Sequence, residues 1–231
     1  MEYFFSFLTL VFLEIILGID NIIFIAIIVQ KGPKATEAKL RFWGLTLAMI
    51  IRLVLLAGVS WLLKLNDPIF NMFYHAFSLK DLILFCGGLF LVFKSTKEIY
   101  HITESNQNGL EKKTQKNQSF SQILLSIIIL DVVFSIDSII TAVGMAKEIY
   151  IMYAAVICSM IVMIFSSKII SDFILKHPSF KILALSFLMM IGTALIAEGF
   201  HVEFPKGFIY SSLLFAFLVD ILQMKALKGK K

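Results

Sequence analysis

Apolar residues run along this chain in long stretches separated by short polar turns. A helix needs ~20 mainly apolar residues to cross a bilayer. The stretches predict seven such helices, at about 3–29, 42–63, 82–99, 120–146, 150–175, 180–200 and 208–227. All four prolines, Pro33, Pro68, Pro178 and Pro205, fall between them, as expected of a residue that breaks helical hydrogen bonding. The piece IFNMFYHAF at 69–77 is amphipathic and too short to span, so it is expected at the membrane interface. Residues 101–119, HITESNQNGLEKKTQKNQS, lack apolar periodicity and read as a mobile linker between two halves.

Composition sharpens this into a class. Of 231 residues, 59% are hydrophobic and 16% charged, with a mean hydropathy of +0.89, well outside the range of soluble domains. The expectation is an all-α polytopic membrane protein with no separate soluble domain. It divides into a first three-helix repeat (1–100), a cytoplasmic linker (101–119), a second, inverted three-helix repeat (120–200), and a seventh helix with a basic tail (201–231). The inversion follows from counting, because three spans per half leave the second half upside down.

The net charge of +5 does not argue for nucleic acid, because the basic residues sit in the turns. Sixteen of the 21 Lys and Arg residues fall on one predicted side, four on the other, and Arg52 in the middle of the second span. By the positive-inside rule this puts the N-terminus outside and the C-terminus in the cytoplasm of a cell inner membrane. Glu2 has the wrong sign for a signal peptide, so the first stretch is expected to be a retained helix. Cys86 and Cys158 fit neither a CxxC pattern nor a disulfide framework.

The chemistry lies in two related segments. LEIILGIDN at 13–21 and LDVVFSIDS at 130–138 place Glu14 and Asp20 in register with Asp131 and Asp137, at an offset of 117 residues. An ionised carboxylate near a bilayer centre costs at least ~2.5–3.5 kcal/mol, so four of them indicate a functional site. At 1.5 Å per residue, Glu14 and Asp131 fall about 3 Å from the midplane and Asp20 and Asp137 about 6 Å from it. Residues seven apart share a helix face, aligning Glu14 with Asn21 and Asp131 with Ser135 and Ser138. Asp20 and Asp137 fall on another face, although a break at Gly18 or a bend at Ser135 could turn them inward.

Carboxylate, amide and hydroxyl oxygens form a set suited to Mg²⁺, Ca²⁺ or Mn²⁺ rather than Zn²⁺ or Cu⁺. The candidate metal residues are Glu14, Asp20, Asn21, Asp131, Asp137 and Ser138, with Arg52, Ser135, Glu198 and Asp220 as accessories. Four carboxylates exceed the charge of one divalent ion. Protonation or Arg52 must therefore balance the remainder, which motivates proton coupling.

At these residues the chain resembles the TerC family of integral membrane proteins and its relatives among bacterial manganese exporters of the Alx type. The first signature is similar to ExxLGxDN (Glu14, Leu17, Gly18, Asp20, Asn21) and the second to DxxFSxDS (Asp131, Phe134, Ser135, Asp137, Ser138). GGLFLVFKSTKE from Gly87, IGTALIAEGFH from Ile191 and PKGFIY from Pro205 extend the likeness over almost the whole chain. The resemblance implies a seven-span exporter of Mn²⁺, and perhaps of Ca²⁺, with a historical link to tellurite resistance. Four carboxylates would repel the tellurite anion, so that link is expected to be indirect.

The ion is expected as transported substrate, with no cofactor and no enzymatic activity; the bilayer is the other partner, and homo-oligomerisation stays open. The alternatives are a non-transporting scaffold acting through the linker, or a stress-resistance protein. An intramembrane aspartyl hydrolase fits less well, because neither a GxGD nor an HExxH pattern occurs.

Overall fold

The computed structural model describes residues 2–72, 75–107, 118–145, 148–202 and 205–228. Eight helices make up nearly all of it: α1 (Glu2–Ile28), α2 (Glu37–Ala57), α3 (Val59–Lys64), α4 (Leu79–Gln107), α5 (Phe120–Met145), α6 (Ile149–Lys176), α7 (Pro178–Gly199) and α8 (Lys206–Lys228). Among the described residues, six stretches are long and apolar enough to cross a membrane, and they lie on α1, α2, α5, α6, α7 and α8. The fold is that of an α-helical polytopic membrane protein.

Three features differ from the sequence reading. The second apolar stretch is not one helix: α2 stops at Gly58, and the single turn and a half of α3 continues beyond it. The segment expected at the interface pairs as a two-stranded antiparallel hairpin, β1 (Pro68–Met72) with β2 (His75–Ser78). The hairpin is a small addition to a fold that is otherwise all-α. Lys80 N–H donates to the Leu65 carbonyl and ties the hairpin end to α3.

The third difference is α4, which begins earlier and ends later than its apolar stretch. Ser78 and Asp81 form a capping box that starts it: Ser78 N–H and Oγ reach Asp81 Oδ2 at 2.8 and 2.7 Å, and Asp81 N–H returns to Ser78 Oγ at 3.2 Å. It then runs through Gln107, taking seven residues that composition assigns to the linker. Residues 108–117 of that segment lie outside the described residues. α5 starts at a second box, in which Ser119 N–H donates to the Gln122 amide and Gln122 N–H to Ser119 Oγ.

Long-range packing is concentrated in three helix pairs, α4 with α7, α1 with α6, and α2 with α5; α4 and α7 run antiparallel, whereas α2 and α5 run parallel, Gly44 meeting Ile127 and Arg52 meeting Ser135. The α4–α7 seam is backbone on backbone. A Cβ placed on Gly88 would lie 2.6 Å from the Gly192 carbonyl oxygen, and one on Gly192 would lie 3.0 Å from the Gly88 carbonyl oxygen. The main core runs between α1, α2, α4, α5, α6 and α7; α8 adds Ile209 to it near its start and otherwise packs against α7 through Phe180–Phe217 and Phe187–Tyr210 ring contacts.

Candidate functional site

The two acidic signatures meet. α1 and α5 run through Gly18 and Ser135 without a break in the helix. Gly18 instead admits Met163 of α6, whose sulfur would lie only 2.2 Å from an added Cβ.

Arg52 of α2 lies between the two signatures, 1% exposed. Its Nη1 donates to Glu14 Oε2 at 2.6 Å, Nη2 to Asp131 Oδ1 at 3.4 Å, and Nε to Ser135 Oγ at 3.1 Å. Ser135 Oγ in turn donates to Asp131 Oδ2, and Asn21 Nδ2 to Asp131 Oδ1, both at 3.1 Å. Ser138 Oγ donates to the Ser135 carbonyl. The face shared by residues seven apart is therefore the face that is used, and one guanidinium offsets two carboxylates that would otherwise be uncompensated in the interior.

Beside this network is a cavity of about 50 Å³, several times the ~10–15 Å³ that one water requires. Arg52, Asp137, Ser138 and Glu198 supply its polar wall, and Leu17, Phe134, Ile191, Leu195 and Tyr210 much of the rest. Asp137, on the other face of α5, thus reaches the same space without any helix break. Lys80, at the start of α4, brings its ammonium to 3.8 Å from Asp137 Oδ1 and 3.9 Å from Glu198 Oε1.

The expected residues sort as follows. Glu14, Asn21, Arg52, Asp131 and Ser135 form one buried network, and Asp137, Ser138 and Glu198 share the adjoining cavity with Arg52. Asp20 lies on α1, but its side chain lies outside the described residues. Asp220 lies ten residues beyond the cavity-lining Tyr210 on α8, about 15 Å along the axis. Among the described residues, no group of three or more His, Cys, Asp and Glu side chains is arranged to hold a metal ion. Any cation held here would also need hydroxyl, amide or backbone oxygens.

Sequence reasoning left Lys80 as a turn residue and did not single out Lys31, Glu98 or Lys181. Glu98 is buried near the far end of α4 and pairs with Lys31, beyond the end of α1, and with Lys181 of α7. A signal was present: α4 carries Lys80 and Glu98 eighteen residues apart, and α7 carries Lys181 and Glu198 seventeen apart.

Over residues 1–230 the sequence matches the family described as the integral membrane protein TerC family. The chain belongs to the TerC family. This TerC protein is 45% identical over 223 residues to the UPF0053 inner membrane protein YgdQ of Escherichia coli K12, covering 96% of this chain and 92% of that one. It is 44% identical over 220 residues to a UPF0053 protein of Haemophilus influenzae, covering 95% and 92%. It also matches the UPF0053 inner membrane protein YoaE of E. coli K12, at 44% over 214 residues, covering 93% of this chain but 41% of the longer relative. No solved structure matches.

Proposed function

We propose that this TerC protein is a transporter that exports a divalent metal ion, Mn²⁺ foremost, from the cytoplasm through a carboxylate site at the membrane midplane. The observation that carries the reading is the meeting of both acidic signatures at Arg52, beside a cavity that Asp137, Ser138 and Glu198 also line.

Charge accounting supports a doubly charged cargo. Glu14, Asp20, Asp131, Asp137 and Glu198 carry five negative charges, and Arg52 and Lys80 carry two positive ones. A divalent cation offsets most of the remainder, and two protons replace its charge when it has left. Arg52 then acts as the resident counter-cation, and the cargo takes the Asp137 and Ser138 side of the cavity with Asp20 from α1.

The finer architecture belongs to the same proposal. α4 is taken as a seventh span, although every eighteen-residue window along it carries at least three charged residues. The two halves are taken as inverted repeats in which α1, α2 and α4 correspond to α5, α6 and α7. That exchange turns the α1–α6 contact into the α5–α2 contact and leaves the α4–α7 contact, with its reciprocal Gly88 and Gly192, in place. The N-terminus and the hairpin then face outside the inner membrane, and the C-terminus the cytoplasm.

The test is metal flux into everted membrane vesicles, comparing Mn²⁺, Ca²⁺, Mg²⁺ and Zn²⁺, with a C-terminal reporter fixing sidedness. Native protein is expected to load Mn²⁺ into everted vesicles. Asp20→Asn and Asp137→Asn are expected to abolish loading without preventing insertion, since Asn keeps the volume and lowers the insertion cost. Loading by both variants at the native rate would overturn the assignment.

A further inference from the structure

Among the described residues, α4 and α7 are the helix pair joined by glycine backbone on backbone. Besides Gly88 and Gly192, Gly199 sits so close to α4 that an added Cβ would lie 2.8 Å from the Asp81 carbonyl oxygen and 3.2 Å from Phe85 N. His201 Nε2 lies 3.3 Å from Asp81 Oδ2, and Phe200 packs edge-on against Phe77 and Phe85. Side-chain rearrangement cannot loosen a seam made of backbone, so the two helices move together or not at all.

Ion pairs close the same seam at both ends. Because the helices are antiparallel, Lys80 at the start of α4 meets Glu198 at the end of α7, at 3.9 Å. Lys181 at the start of α7 meets Glu98 near the end of α4, at 3.4 Å. Lys80 and Glu98 are eighteen residues apart, about 27 Å along a helix, close to the ~30 Å hydrocarbon thickness. The two clusters therefore sit near opposite faces of the membrane, with the Arg52 network between them.

Each cluster has one more member, and it belongs to a different helix. Lys80 also reaches Asp137 of α5, at 3.8 Å. Glu98 also pairs with Lys31 at the end of α1. α4 and α7 are thus tied to α5 at one face and to the end of α1 at the other through groups that can change partners, since Lys80 keeps Glu198, and Glu98 keeps Lys181, when the extra contact is released.

We infer that α4 and α7 form one rigid unit that rocks against α1, α2, α5 and α6, and that Lys80–Asp137 and Lys31–Glu98 are the latches closing the path to the central site from opposite faces. The inference rests on the transport reading and names the positioning residues of its cycle. Both latches are closed in this structure. Release of Lys80 from Asp137 opens the hairpin end and exposes a cavity carboxylate to cargo, whereas release of Lys31 from Glu98 opens the opposite end.

The experiment reads access rather than flux. In full-length protein carrying Cys86→Ser and Cys158→Ser, one reporter thiol is introduced at a time: Leu195→Cys in the cavity wall, or Ser95→Cys in the buried cleft beside Lys31 and Glu98. Vesicles of each sidedness are treated with a membrane-impermeant maleimide. Lys80→Gln is expected to raise labelling at Leu195→Cys several-fold from the hairpin face only. Glu98→Gln is expected to raise labelling at Ser95→Cys several-fold from the opposite face only.

Asp137→Asn breaks the first latch from its other partner and must act as Lys80→Gln does, which keeps the test decisive if Lys80→Gln does not reach the membrane. The exchange Glu98→Lys with Lys181→Glu keeps the α4–α7 pair but sets two ammonium groups across the second latch, and must still open that face. Native-like protection in the exchange variant, or labelling unchanged in all the variants, overturns the inference. Flux in the same vesicles separates the two claims. If native protein moves none of the four metals while labelling follows the expected pattern, the cargo assignment fails and the latches stand.

Discussion

Arg52 is held by one residue from each half of the chain, Glu14 and Asp131, and by Ser135 beside the latter. Removing one partner of a buried ionic network leaves uncompensated charge, at a cost of about 3–5 kcal/mol. Arg52→Met is therefore expected to lower the thermal stability of detergent-solubilised protein by an amount of that order. Adding Glu14→Gln and Asp131→Asn should recover most of the loss, because neutral groups no longer need the guanidinium. A triple variant no more stable than Arg52→Met would show that packing around Arg52, rather than its charge, sets the stability. Much of this site was legible in sequence: helical spacings of seven and four residues put Asn21 and Ser135 on the acid face, and composition left Arg52 as the one cation in mid-span. Lys80 was not, because a lysine beside a turn looks solvated until folding brings Asp137 and Glu198 within 4.0 Å.

At the scale of elements, glycines decide where helices approach and where they stop, and the two roles make opposite predictions. A Cβ on Gly88 would press on the Gly192 carbonyl. Gly88→Ala should therefore force the α4–α7 seam apart and cost about 1–3 kcal/mol. Gly58 separates α2 from α3 with negative φ, and a Cβ there would make only ordinary contacts at 3.6 Å. Gly58→Ala should be neutral or stabilise by about 0.4–1 kcal/mol by restricting the unfolded chain. Melting curves in one detergent check both, and equal melting points for the two variants would contradict the backbone seam. The sequence showed where apolar stretches began and ended, but not that α2 would stop at Gly58 or that α4 would run into a polar tract. Hydropathy measures the wish to leave water, whereas a helix continues for as long as its backbone bonds and its neighbours allow.

For the whole molecule, the transport reading carries a stoichiometry: a divalent ion that leaves the carboxylates is replaced by about two protons, from charge balance alone. A proton gradient of the appropriate sign should accelerate Mn²⁺ loading into everted vesicles, and its collapse by an ionophore should slow it. Loading that ignores the gradient while still requiring Asp137 would exclude proton coupling and leave the cation site intact.

The amino-acid order by itself determined that this is a helical membrane protein, which helices carry acids, and that the acids recur at matching positions in two halves. Those properties are local or periodic, and hydropathy and spacing report them directly. Only the tertiary structure decided which groups neutralise those acids and which helices are joined backbone to backbone. Arg52 is 38 residues from Glu14 and 79 from Asp131, and Gly88 is 104 from Gly192. Contacts across such separations depend on how helices pack against one another, because an ion pair or a backbone seam exists only where two surfaces meet.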